Sequence, residues 1–503
     1  MTIIGLRSAV ATLALGLLLG VADYSQAAET ASNELADTSA LGPAHSKAAG
    51  DSPAVTAFER PAYHFLRQDE DWSVLADVSA AERDDLFDFV KYVPLGEDGR
   101  VWASFGGSLR GRLENWFDFG FGTPSPDDDT FALGRLRLNA DVHFGRPVRA
   151  FVEIKSALST DRDLPGGKRD ADVDEIALQQ AFVDLRLPVA DDTSLTLRLG
   201  RRGLQYGRQR LVSPLPWANT LRTWDGASLH LEGDAGFVDA FWTLFAPVRK
   251  YRFNKPDEDQ QFFGVYASGK PGAPGLVVDL YALGLARNGT FNRNGTSGND
   301  DRYTLGTRIE TPLGTRAFSL EFEGAYQLGR VGDADVNAFM LALELAAEIA
   351  DAWAAPRLAL GLDYASGDHS AGGNVQTFDP LFPLGHAYFG IMDIVGRQNV
   401  IDVNPSLTLH PLSGTTLQLS GHVFRRAQRE DALYNAGGMV VRPGASGTSL
   451  DVGAEIDVVL SQRFGRHVTA DLGYGHFFPS SFIEETGSDQ AIDFVYFQLA
   501  LRY

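Results

Sequence analysis

From Val101 to the end of the chain, apolar and polar side chains alternate with period two in one segment after another, and that period limits what the chain can become. In VWASFGGSLRGRLENWF, Ala103, Phe105, Leu109, Leu113 and Phe117 share one face, and Ser104, Ser108, Arg110, Arg112 and Glu114 share the other. Leu136, Leu138, Ala140, Val142 and Phe144 oppose Arg135, Arg137, Asn139, Asp141 and His143, and in LTLRL, Leu195, Leu197 and Leu199 oppose Thr196 and Arg198. Leu305, Thr307 and Ile309 oppose Arg308 and Glu310; Val452, Ala454, Ile456 and Val458 oppose Glu455 and Asp457. NAFMLALELAAEIADAWAA, from Asn337 to Ala355, has the composition of a helix. Its neighbours and the alternation of Phe339, Leu341, Leu343 and Leu345 make it a strand.

A soluble sandwich also alternates, but its strands are short. These run to about ten residues or more, the length of a tilted strand crossing a bilayer. The chain closes on FVYFQLALRY, where Val495, Phe497, Leu499, Leu501 and Tyr503 share a face and the last residue is aromatic, like the terminal strand of bacterial outer-membrane barrels. Short turns such as FGRPVR and PLGTRAF alternate with long polar connections such as RNGTFNRNGTSGNDDR. The expectation is an all-β fold, a transmembrane antiparallel β-barrel of roughly 18 strands, within a range of about 16 to 18, in the bacterial outer membrane. In lipid every backbone polar group must be paired internally, so the strands close and the polar face becomes a lumen wide enough for water.

The ends of the chain agree. Arg7 precedes the apolar run AVATLALGLLLGVA and then Ser25-Gln26-Ala27, a small-x-small cleavage site, so residues 1–27 read as a signal peptide. Residues 28–60 are polar and aperiodic and read as a disordered linker. Residues 61–100 mix aromatics with acids and read as an ordered periplasmic lead-in, with a short helix within Ala80 to Val93; residues 101–503 form the barrel. The absence of cysteine (Cys 0) excludes disulfide scaffolds, thiolate metal sites and cysteine nucleophiles.

Reactive constellations are weak. H-E-x-x-H, G-x-S-x-G and P-loop patterns do not occur. The ten His are scattered, and His143, His230 and His422 on polar faces read as pore lining. Asp127 to Asp129 reads as a solvated loop or a contact with lipopolysaccharide-bridging cations, since no EF-hand spacing follows. Neither catalytic residue, metal site nor cofactor is expected, and the acidic balance, net charge -21, disfavours nucleic acid.

Against that charge, GRRGLQYGRQRLVSPLPWANTLRTWDG from Gly200 to Gly226 gathers Arg201, Arg202, Arg208, Arg210 and Arg222. It joins two strands, so it sits at or inside one mouth of the pore. Arg110, Arg112, Arg135, Arg137, Arg198 and Arg308 add to the lumen from polar strand faces. A guanidinium stays charged and grips carboxylates through paired hydrogen bonds. Asp184, Asp225, Asp239, Asp363, Glu455 and Asp457 face the same space, so the arginines are either paired struts or an anion path.

These residues resemble the alginate export porins of Gram-negative outer membranes. The likeness runs from DEDWS (Asp69 to Ser73) and KYVPLG (Lys91 to Gly96) through QAFVDL (Gln180 to Leu185) and is densest at G-R-x-x-L-x-Y-G-x-Q-R-L-V (Gly200 to Val212) with WANTLRTWDG after it. It returns in LDYASGD, TFDPLFPLGHAYFG, YNAGG, GAEIDV and GYGHFFPSSFI. The resemblance implies a monomer whose arginine-lined constriction passes a uronic-acid polysaccharide fed by a periplasmic partner. It makes Arg201, Arg208 and Asp225 the constriction candidates and matches Glu455 and Asp457 to a lumen-facing acidic strand. The pattern departs at Arg202, which stands where the family usually has Gln. The leading reading is a channel for an anionic polysaccharide or its fragments, in contact with outer-membrane lipid and lipopolysaccharide and inserted by the barrel assembly machinery. A general anion-tolerant porin for small acids or oligosaccharides and an outer-membrane barrel hydrolase stay open beside it.

Overall fold

The computed structural model of the chain describes residues 60–79, 82–96, 99–123, 126–293, 295–314, 317–370 and 372–503. The signal peptide and the linker, Arg60 apart, lie outside the described residues, as does Asn294 of the second N-G-T sequon.

Eighteen long strands follow in chain order. They begin with β1 (Val101–Phe117), β2 (Asp129–Phe144), β3 (Val148–Ser159), β4 (Asp174–Ala190), β5 (Thr193–Arg202) and β6 (Trp224–Gly233). The series continues with β7 (Gly236–Phe245), β8 (Gln260–Gly269), β9 (Val277–Arg293), β10 (Thr296–Leu313), β11 (Phe318–Val331) and β12 (Ala334–Glu348). The last six are β13 (Arg357–Ala365), β14 (Val400–Leu409), β15 (Thr415–Arg426), β16 (Asp451–Phe464), β17 (Val468–Pro479) and β18 (Ile492–Arg502). Each pairs antiparallel with its chain neighbours, and β1 closes the ring on β18 from Ser108↔Arg502 to Phe117↔Asp493. Closure leaves the sheet no long free edge, as the hydrocarbon of a bilayer requires.

The predicted faces hold along these segments except at Val452, which a bulge between Gly453 and Asp451 turns into the interior cluster, where it is 1% exposed. Leu109, Leu199, Leu341 and Phe497 are 49%, 51%, 45% and 48% exposed on the outside, while Arg112 and Asp457 on the inside are 4% and 1% exposed. The helix-like stretch is strand β12, with Leu341 opposite Gly324 and Tyr364. Pairing on both edges outweighs a helix propensity of a few tenths of a kcal/mol per residue. Two expectations change. RNGTFNRNGTSGNDDR is not a loose loop: it lengthens β9 and β10 into a hairpin. The short helix within 80–93 shrinks to one turn, Asp88–Lys91.

The long connections 203–223, 246–259, 366–399, 427–450 and 480–491 lie at one end, and turns such as 145–147, 234–235 and 465–467 lie at the other, with the C-terminus. The short-turn end is the periplasmic one. Residues 60–79 enter the bore there: Arg137 on β2 donates to the Phe65 carbonyl at 2.9 Å, and Arg149 on β3 to that of Gln68 at 2.6 Å. Residues 82–96 dock beneath the rim, where Arg466 and His467 of the β16–β17 turn meet Asp84 at 2.8 Å and Asp85 at 2.9 Å. At the opposite end an aromatic layer that includes Trp116, Trp224, Phe262, Phe382, Phe424 and Phe494 fills the upper bore between the strands and the inward loops.

Candidate functional site

The arginine-rich connection folds into the barrel. After β5, residues 203–223 turn inward, with Gly207, Gln209 and Leu215 at positive φ of 52°, 62° and 62°. Gly207 supplies the first of these without cost. A Cβ there would also stand 2.6 Å from the Tyr266 hydroxyl, so the loop passes too close to the wall for another residue. Tyr206 stacks on Tyr266, which stacks on Tyr281, at 4.7 and 5.5 Å between centroids. Their hydroxyls donate to Asp239, Asp279 and Glu323 at 2.5, 2.7 and 3.0 Å.

A second inward loop, 366–399, zips onto the first. Ser213 N–H donates to the Phe382 carbonyl, Phe382 N–H to Leu211 and Leu384 N–H to Gln209, at 2.9, 2.9 and 3.0 Å. The Tyr388 hydroxyl donates to the Arg208 carbonyl, and burial pushes that hydroxyl up to about 12, so it remains a donor at neutral pH. Trp217 is clamped on both faces: the His386 ring lies 3.6 Å from its centroid, nearly parallel at 10°, and the Arg112 guanidinium lies 3.8 Å from it on the wall. Glu455 and Asp457 face the lumen, as expected, and accept N–H bonds from Met392 at 3.0 Å and Ile391 at 3.3 Å. They anchor the second loop.

The predicted arginines fall into distinct settings. Arg110 and Arg135 hold the carbonyls of Pro216 (3.0 Å from each) and Ala218 (2.9 and 2.8 Å), and Arg112 holds that of Trp217 at 2.8 Å together with Glu114 at 2.7 Å. These groups tie the loop to β1 and β2. Arg137 pairs with Glu153 at 2.9 Å, Arg198 with Asp184 at 2.7 Å and Arg202 more loosely with Asp239 at 3.6 Å, all on the lumen face. Arg210 reaches Glu321 at 2.6 Å and Glu323 at 3.2 Å on the far wall, and Arg308 meets Asp279 at 2.6 Å and Glu310 at 2.8 Å. Arg208 contacts Glu310 at 3.0 Å and keeps 23% of its side chain exposed, Glu310 35%.

Arg201 and Asp225 stand apart. They pair at 2.6 Å, but Arg201 lies two residues past Leu199 on the same face, opposite Ala181, whose other cross-strand partner Val152 is 44% exposed outward. That face points away from the lumen. The pair sits at the outer rim with the connection 246–259 over it, Arg201 also donating to the carbonyls of Leu178 at 3.2 Å and Asn254 at 3.1 Å. The expectation that Asp225 faces the lumen is corrected accordingly. Asp363, another of the acids expected in the lumen, binds Arg397 of the second inward loop at 2.5 Å. Sequence reasoning missed Glu321, Glu323, Arg149 and His386; the inward alternation of Glu321 and Glu323 along FSLEFEGAYQ was a usable signal for the first two.

A closed barrel of 18 strands with an apolar outer face, a charged inner face and two loops crossing its bore defines an outer-membrane channel. The chain belongs to the alginate export family, whose model, described as alginate export, matches residues 101–497. No curated protein matches it. Solved structures similar to it include OccAB1 of Acinetobacter baumannii, 11% identical with a TM-score of 0.53 over 82% of this chain and 99% of that one. OccAB2 of the same species is 10% identical with a TM-score of 0.53, covering 80% and 98%. Pseudomonas aeruginosa OccK2 (OpdF), solved in complex with glucuronate, is 12% identical with a TM-score of 0.51, covering 80% and 97%. At these identities the likeness is one of fold.

Proposed function

We propose that this channel passes an anionic polysaccharide of the alginate type, or its fragments, along the arginine face of its lumen, with no covalent chemistry. The observation that carries the reading is Arg208: an inward loop holds it inside the barrel beside the wall, and its side chain and that of its partner Glu310 are both in contact with water. A water-exposed ion pair contributes about 0–1 kcal/mol, so an arriving carboxylate can replace Glu310, which keeps Arg308 as a partner at 2.8 Å, while Arg208 keeps its 3.4 Å contact with Glu321. Arg198 and Arg149, each 17% exposed lower in the bore, provide further contacts. Weak contacts spread along the path let a polymer enter and leave. Membership of the alginate export family and the glucuronate named for OccK2 both support a uronate cargo. The hydrolase reading gains nothing from the site, since the His422–Asp402 pair at 2.8 Å is buried between β15 and β14.

The chain acts as a monomer, with lipopolysaccharide around it, the barrel assembly machinery inserting it and a periplasmic partner delivering cargo. Reversal potentials of single channels test the charge argument. Anion preference that drops in Arg208→Glu supports it; a preference indifferent to that change makes the arginines struts. Anion preference with no response to polyuronate would instead favour a general anion-tolerant porin.

A further inference from the structure

We propose that residues 60–79 are a tethered plug of the periplasmic mouth, and that their withdrawal opens the channel and loosens the inward loop 203–223. The inference rests on the channel reading and adds a closed state to it.

Three observations place this segment within the cargo path. First, it takes up the groups that a polyanion would use. Arg137 and Arg149 donate to the carbonyls of Phe65 and Gln68, and the Phe65 ring lies 4.6 Å from the Arg137 guanidinium and 5.7 Å from that of Arg135. The Asp69 side chain is exposed at the tip, where the protein packed around it raises its carboxyl above the usual range against the opposing pull of Arg198, His64, Arg149 and His230. The segment therefore presents backbone oxygens and a carboxylate to the arginine face as a resident competitor.

Second, its tip touches the loop that crosses the bore. Gln180 on β4 accepts the Gly203 N–H at 3.1 Å through its carbonyl oxygen and donates through its amide nitrogen to Gln68 at 2.8 Å. A Cβ at Gly203 would meet the Leu66 side chain at 2.9 Å, so the first residue of the loop and the tip of the segment are packed as closely as glycine allows. Removing the tip leaves the Gln180 amide without its partner at the point where the loop leaves the wall.

Third, most of what holds the segment is polar and exchangeable. Arg67 pairs with Glu70 of the segment itself at 2.8 Å and donates to the carbonyl of Tyr503. Its apolar grip is the small cluster of Trp72, Leu75 and Trp102, with Tyr63, Val78 and Tyr92 packed against it at the rim. Such a body can leave by trading hydrogen bonds for water, whereas the barrel wall cannot.

Single-channel recording on the full chain decides the matter. Deleting residues 61–79 is expected to give a barrel, checked by heat-modifiable gel migration, whose open conductance is several-fold higher and lacks the long closed periods of the wild type. Because the chain lacks cysteine, Gln68→Cys with Gln180→Cys introduces one defined pair, and a disulfide bridge made through a short bis-methanethiosulfonate linker replaces the span of the two amide side chains; the bridged form should lose open bursts and reductant should restore them. This arm stands even if the deletion fails to assemble. A deleted barrel with wild-type conductance, or open bursts unaffected by the disulfide, overturns the plug. Reversal potentials from the same traces report anion preference separately, so a failed plug and a failed anion channel are told apart.

Discussion

Arg208 on an inward loop pairs with Glu310 on the barrel wall, in β10, at 3.0 Å, and both remain water-exposed. An ion pair in that setting is a replaceable contact. Arg208→Glu should therefore move the reversal potential in a salt gradient toward cation preference while conductance changes little. Arg208→Lys keeps the charge and should retain most of the anion preference while weakening the grip on carboxylates, because a lysine cannot form the two-point contact.

Arg201→Ala should behave differently. Its partners are Asp225 and two backbone carbonyls on the outer face, so the change removes about 1–3 kcal/mol of rim stability. Lower temperature of gel-shift unfolding with an unchanged reversal potential is the expected pair of results. A shift in selectivity would place Arg201 in the path after all.

The contrast between these two arginines shows what was legible in the sequence. Period two is local, so the strands, their lipid faces and the inward position of Arg110, Arg112, Glu455 and Asp457 could be read directly. The same rule already put Arg201 on the face of Leu195, Leu197 and Leu199; the motif resemblance pointed elsewhere, and the alternation was right. What could not be read was the course of 203–223 and 366–399. Their inward fold depends on contacts between residues far apart in the chain, such as Ser213 with Phe382 and Trp217 with His386, and no local period encodes those. The entry of 60–79 into the mouth is hidden for the same reason, since Gln68 and Gln180 meet only after the barrel closes.

Trp217→Ala removes the ring clamped between Arg112 and His386. Stacking and cation–π contacts of this kind are worth about 1–3 kcal/mol together. The inward loop should leave the wall more often, seen as noisier traces and a higher mean conductance. Phenylalanine at the same position should restore most of the quiet behaviour.

The docking of the lead-in should depend on pH through Lys91. Burial, reinforced by the charge of Arg67, pushes its ammonium down to about 7, against the rings of Trp72, Tyr63 and Tyr503. An undocked lysine titrates near 10.4. Below about 7 both forms hold the proton and docking bears the full cost of burying the charge; as pH rises from about 7 toward 10 the undocked form holds more proton, so docking strengthens. A nitroxide on Ala76→Cys should report a smaller mobile fraction at pH 9 than at pH 6, and Lys91→Met should abolish the difference.

The most direct test of the account is block of single channels by polyuronate oligomers in planar bilayers, wild type against the Arg208→Glu, Arg198→Glu pair. The account predicts concentration-dependent block of the wild type that weakens at least tenfold in the double variant, equivalent to about 1.4 kcal/mol of lost contact. Equal block of both channels, or none in either, would contradict it.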